Sequence, residues 1–182
     1  TSKDIDAYER FIQQLELSSI QKVIFISATS VYPVSNSVVS EETKTMNTPL
    51  SEIESLFREN TYFETTIIRF AGLFGPGRHP GSWFKNGKTI PQPNGFVNMI
   101  HQEDCIEIIH EIIDQNCWNT TFNACSNDHP TRKEFYTNAR KSLNFDPPIF
   151  EENPQLRYKI ISSKKLQEVL GYQIIHDNLL EI

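Results

Sequence analysis

Apolar residues recur along this chain with two alternating periods. Ile5, Tyr8, Phe11, Ile12 and Leu15 fall at helical spacing and predict an amphipathic helix over 4–16. Val23 to Ile26 then form an unbroken apolar run that ends in Ser27, Ala28, Thr29 and Ser30, which predicts a buried strand at 22–28 opening into a loop. Leu50, Ile53, Leu56 and Phe57 share one face of a helix from Pro49 to Arg58, and TTIIRFAGLFG (65–75) reads as a second buried strand. The stretch GPGRHPGSWFKNGKTIPQPNG (75–95) concentrates Gly and Pro and predicts a long irregular loop, the kind that is usually functional or mobile in a compact domain.

The second half repeats the alternation. FVNMIH (96–101) predicts a short strand, and Gln102–Asp114 a helix with Cys105, Ile108, Ile109, Ile112 and Ile113 inward and Glu103, Glu107, Glu111 and Asp114 wet. NTTFNACS (119–126) is a third strand, and Thr131–Leu143 a helix that buries Phe135 and Ala139. In the tail, PPIFEE precedes YKIISSKKLQEVLGY, where Ser162 or Ser163 can cap a short helix that Gly171 ends. Strands that are apolar throughout, alternating with helices, predict an α/β layer fold with a largely parallel sheet.

Composition narrows the function. A chain of 182 residues that is 38% hydrophobic supports one core. With 17 Lys+Arg against 23 Asp+Glu the formal charge is -6, and no basic run tracks phosphates, so nucleic acid and anionic membranes are excluded as expected partners. Cys105, Cys117 and Cys125 form no CxxC and cannot all pair, which fits a reducing, cytoplasmic compartment. There is neither a bilayer-length apolar stretch nor a signal-peptide pattern, and the absent initiator Met suggests an excerpt of a longer protein.

Three blocks, KVIFISATSVYP, TIIRFAGLFGPGR and NMIHQEDC, stand in the order and at roughly the spacing found in the extended short-chain dehydrogenase/reductases. The chain resembles that NAD-dependent epimerase/dehydratase family over most of residues 20–116, and within it the small, atypical members named nucleoside-diphosphate-sugar epimerases. The resemblance implies a Rossmann-type fold binding NAD or NADP, with a glycine fingerprint after the first strand. The first of the seven glycines here is Gly72, and GPG at 75–77 reads as a turn, so the expectation is a partial fold lacking the early strands and that fingerprint. Residues 1–75 would be the later half of the Rossmann-type domain, and 76–182 a mixed substrate-side α/β region with the last sheet elements. The strand at 22–28 would then carry an open apolar edge, to be covered by a preceding segment or by a second copy in a homodimer.

The family's chemistry uses a Tyr whose pKa is lowered by a Lys four residues later. None of the six tyrosines here has that Lys; aligned on Glu54, the Tyr and Lys positions hold Met46 and Leu50, and the orienting Ser falls on Ala28. The loop therefore reads as a degenerate active site. Thr29, Ser30 and Tyr32 are the remaining catalytic candidates, Tyr32 without a cationic neighbour and so near the ordinary phenol value of about 10. By the resemblance, Ser27, Ala28, Phe70, Gly72 and Leu73 would line the cofactor, and Arg78 and His101 would meet a small-molecule substrate. Val97 stands where sugar-nucleotide epimerases often carry a diphosphate-binding Arg. His101 and Cys105 share a face but have no third ligand at recognisable spacing, so no metal is expected; His79, His110, His129 and His176 read as surface residues. Two functions remain open: an NAD(P)-dependent epimerase/dehydratase or oxidoreductase acting on a hydroxyl, carbonyl or sugar-nucleotide-like substrate, and a non-catalytic nucleotide-binding sensor or scaffold.

Overall fold

The computed structural model describes residues 4–84, 87–152 and 154–181. Asp4 caps the first helix, α1 (Ile5–Glu16), through its side chain, and Ile12 and Leu15 are its buried residues. Strand β1 (Lys22–Ala28) runs into a single turn of 3-10 helix at Thr29–Val31. After a two-residue strand β2 (Val38–Val39), α2 (Pro49–Arg58) begins with a Thr48/Ser51 capping box and Pro at its first position, which needs no N–H there. Strands β3 (Glu64–Phe70) and β4 (Gly72–Phe74) follow, then, beyond the Gly/Pro-rich loop, β5 (Met99–His101), α3 (Gln102–Asp114), β6 (Thr121–Ala124), α4 (Arg132–Ser142), β7 (Ile160–Ile161) and α5 (Lys164–Leu170).

The central sheet is parallel, in the order β1-β3-β6. Phe25 of β1 stacks on Phe57 of α2 at 4.6 Å, with Tyr8 of α1 edge-on to both, and this aromatic cluster seals the α1/α2 side of the sheet. Ile108 and Ile112 of α3 and Leu166 of α5 join the same core, so helices flank the parallel sheet in the manner of α/β folds. A smaller cluster, including Phe74, Ile90, Met99 and Phe135, ties the long loop to α4. Among the described residues no helix is long and apolar enough to cross a membrane.

One strand departs from the sequence-based expectation. The run 65–75 is two strands, because at Ala71 the chain leaves β3, and β4 pairs with β5 in a separate two-stranded parallel sheet. Hydrophobicity is continuous across that break, so periodicity could not reveal it. Further on, Phe150 makes one isolated bridge to Ile90. Of the two serines expected to cap α5, Ser162 does so, its hydroxyl accepting from the Lys164 N–H at 3.3 Å, while Ser163 at the N-cap donates its hydroxyl to the Cys125 carbonyl and accepts from the Cys125 N–H instead. Gly171 ends α5 at φ 63°, the left-handed conformation glycine adopts without strain. Strand β1 has a single sheet neighbour among the described residues, and along its free edge Ile26 is 39% exposed.

Candidate functional site

Register places three polar residues in one row across the central sheet: Ser27 of β1 is level with Arg69 of β3, which is level with Asn123 of β6. Each interrupts an apolar strand, and all three are buried. Glu54 of α2 descends onto this row. Its carboxylate accepts from Ser27 Oγ at 2.5 Å and from Arg69 Nε at 3.0 Å and Nη2 at 2.5 Å, and Arg58 reaches it from the surface at 3.1 Å. Arg69 Nη1 in turn donates to the Tyr32 phenol at 2.5 Å, and Tyr32 donates to Asn123 Oδ1 at 2.9 Å. The Asn123 backbone N–H donates to Glu41 at 2.7 Å. A buried charge pair is stable only when its remaining hydrogen-bonding capacity is met, and this network meets it.

The network changes the reading of Tyr32. A cationic neighbour is present, contrary to the sequence expectation, since Arg69 bonds its oxygen and lies 4.9 Å from its ring centre. Burial nevertheless dominates and holds the phenol above its ordinary range, against the opposing pull of Arg69. Burial also acts to lower Arg69, but the Glu54 carboxylate outweighs it and keeps the guanidinium charged. With its donor and acceptor both engaged and 1% exposure, Tyr32 braces the loop from beneath.

Above the brace lies a cleft of about 270 Å³ at the carboxyl end of β1, where ligands bind in open parallel sheets. Thr29 and Ser30 line it from the loop, Asn98 and Met99 from β5 and its approach, Arg132 and Tyr136 from α4, and Lys159 from the segment before β7. Lys159 Nζ donates to the carbonyls of Thr29 at 2.9 Å and Tyr32 at 2.7 Å, which fixes an ammonium beside the loop. Burial holds it below the ordinary lysine range. Asn98 positions Lys159 by bonding its carbonyl at 2.9 Å and the N–H of Ile161 at 2.8 Å. Lys159 and Arg132 make the cleft electropositive, suited to an anionic or carbonyl-bearing ligand.

The predicted site residues separate into groups. Thr29 and Ser30 share the cleft with residues that sequence reasoning had not singled out, Lys159, Arg132 and Tyr136. Ser27 and Phe70, expected against a cofactor, are buried, Ser27 with its hydroxyl on Glu54. Gly72 and Leu73 are exposed and Ala28 is half-buried. Arg78 is exposed, donates to the Leu73 carbonyl at 2.8 Å and lies over the Trp83 ring. His101 is outside the cleft, its ring centre 3.7 Å from that of His176. Cys105, once paired with His101 on spacing, is a core thiol pushed up to about 12 by burial.

No protein-family model matches the chain. Protein YeeZ of Escherichia coli K12 is 31% identical over 175 residues, 93% of this chain, and so is its counterpart in strain O157:H7; the chain spans 64% of the length of these curated relatives. Among solved structures, a functionally unknown conserved protein from Silicibacter pomeroyi superposes with a TM-score of 0.81 at 19% identity, over 95% of this chain and 70% of that one. UDP-glucuronic acid 4-epimerase from Bacillus cereus, solved with NAD, gives 0.77 at 15% identity over 99% and 67%. RMD from Pseudomonas aeruginosa, solved with NADPH, gives 0.75 at 16% over 95% and 69%. The fold is α/β with parallel sheets and flanking helices, similar to the Rossmann-type folds of these epimerase and dehydratase structures. Within that fold the cleft sits where a sheet of this kind presents its strand ends, while the Tyr–Lys helix spacing is absent from the chain.

Proposed function

We propose that this chain belongs to an NAD(P)-binding protein of the epimerase/dehydratase or reductase type, acting on a small hydroxyl- or carbonyl-bearing or sugar-nucleotide-like substrate with a degenerate Tyr–Lys motif. The observation that carries the reading is the convergence of Ser30, Lys159 and Arg132 on one cleft at the carboxyl end of β1. There an ammonium is anchored beside the loop by two backbone carbonyls, supplying from another part of the chain the positive charge that the missing Lys would give.

The residues present fit one side of the cofactor. Gly72 and Leu73 of β4 are exposed and Ala28 at the end of β1 is half-buried, whereas Ser27 and Phe70 are buried and none of the seven glycines offers a pyrophosphate loop. A bound nicotinamide supplies hydride transfer. Ser30 would orient the substrate, and Lys159 and Arg132 would balance its negative charge. A non-catalytic nucleotide-binding role is favoured by one observation of its own: the Tyr32 hydroxyl is committed to Arg69 and Asn123.

Two-dimensional NMR of the chain with NADPH and, separately, UDP-glucose tests this. NADPH at millimolar concentration should shift the amides of Ala28, Gly72 and Leu73; UDP-glucose should shift Ser30 and Asn98, and Lys159→Met should abolish the second response while sparing the first. Both responses without turnover of any hydroxyl substrate would favour the binding-only role. Silence with both ligands would overturn the proposal.

A further inference from the structure

At the junction of β5 and α3, on residues that take no part in the cleft, His101, Glu103 and His176 converge. His176 Nε2 lies 2.7 Å from Glu103 Oε2, the two imidazole rings are 3.7 Å apart, centre to centre, and His101 Nδ1 caps α3 by accepting from the Glu103 N–H at 3.2 Å, which leaves its Nε2 as the ligating nitrogen. One ligating atom from each of the three lies within 4.8 Å of the others. Residues 101 and 103 are fixed by the start of a helix, while His176 arrives from the far end of the chain. Its position is built: the buried Asp104 carboxylate accepts from the His176 N–H at 3.1 Å, the Ile175 N–H at 2.6 Å and the Tyr172 hydroxyl at 2.8 Å. Ser126 Oγ donates to the His176 carbonyl at 3.1 Å. Such outer contacts are what orient ligands in metal sites.

Next to the triad is a cavity of about 180 Å³ lined by Phe74, Gly75, His79, Pro80, His101, His176 and Glu181, with no lysine or arginine among them. Gly75 matters here. A Cβ at this position would lie 3.0 Å from His101 Nε2, so the glycine leaves that nitrogen open towards the cavity. Glu103 and Asp104 beside it and Glu181 in its wall make the neighbourhood acidic.

We propose that His101, Glu103 and His176 bind a divalent transition-metal ion of the Zn2+ class, its fourth position facing the cavity. Two imidazoles and one carboxylate are borderline ligands that suit Zn2+ and its neighbours better than Ca2+ or Mg2+, and three protein ligands leave one position for water or a ligand oxygen. With metal–ligand bonds of about 2.1 Å, tetrahedral ligands stand about 3.4 Å apart. Reaching that separation replaces the His176–Glu103 hydrogen bond and turns two side chains at the surface, of which Glu103 is 56% exposed. The bound ion would fasten the segment 172–181 to the start of α3.

Zn2+ titrated into the chain by calorimetry should bind at one ion per chain, and Co2+ should give visible d–d absorption that Zn2+ bleaches. His176→Ala and Glu103→Gln should each weaken Zn2+ binding by about tenfold or more, while His110→Ala, at an exposed residue elsewhere on α3, should leave it unchanged. Glu103→Gln removes a surface carboxylate and serves if His176→Ala disturbs the fold, as checked by circular dichroism without metal. Ca2+ should not compete. Undiminished Zn2+ binding in Glu103→Gln, or no stoichiometric binding by the parent chain, overturns the proposal.

Discussion

Arg69→Met removes the guanidinium at the centre of the buried row while keeping a side chain of similar reach. In the parent, Arg69 and Glu54 are 4% and 1% exposed and meet in a bidentate pair at 3.0 and 2.5 Å. Without Arg69, the Glu54 carboxylate keeps only Ser27 and the half-exposed Arg58, and Tyr32 loses a donor. Stripping one partner from a buried pair costs about 3–5 kcal/mol. The retained Arg58 contact puts this case near the lower end, about 3 kcal/mol, or roughly 6–12 °C in Tm for a chain of this size. The cost arises from a charge left without its partner, so Glu54→Leu/Arg69→Met should be more stable than Arg69→Met alone and lie within about 2 kcal/mol of the parent. Urea unfolding followed by far-UV circular dichroism, at unchanged m-value, measures both. A single variant within about 1 kcal/mol of the parent, or a double variant worse than the single, would refute the view that the pair is desolvated and coupled.

Three other outcomes follow from particular contacts. Gly81→Ala puts a Cβ 2.1 Å from the carbonyl oxygen of Ala139 in α4, a backbone atom that cannot step aside, so urea unfolding should show a loss of about 3 kcal/mol, the upper end of overpacking costs. Burial raises all three thiols, but Cys117 is only half-buried while Cys105 and Cys125 lie in the core, so a disulfide reagent at pH 8 should label Cys117 first and the other two only in denaturant. Burial raises the phenols of Tyr32, Tyr136 and Tyr172, the last also through its bond to Asp104. The folded state therefore holds these protons more tightly than the unfolded one, and the stability is full below the unfolded value of about 10 and lost as pH rises beyond it. The urea midpoint should fall as pH rises above about 10, these three phenols contributing to the absorbance at 295 nm only as the chain unfolds; a constant midpoint would contradict it.

What the sequence determined by itself was local: α1, α2, α3 and α4 stand within a residue or two of their predicted bounds, because capping residues and the 3.6-residue apolar period act over a few neighbours. The strand before the loop and the turn at Gly171 were legible for the same reason. A local signal for the buried network was also present, since Arg69 inside an unbroken apolar strand requires an anionic partner, but nothing near it in sequence says that the partner is Glu54. Only the tertiary structure decided that Ser27, Arg69 and Asn123 share a row, because parallel register depends on how whole strands align. It alone brought Lys159 to the loop at Thr29 and His176 to His101 and Glu103, contacts that span 130 and 73 positions. Function concentrates in such long-range meetings, whereas the patterns readable along a chain reach only a turn of helix or a pleat of strand.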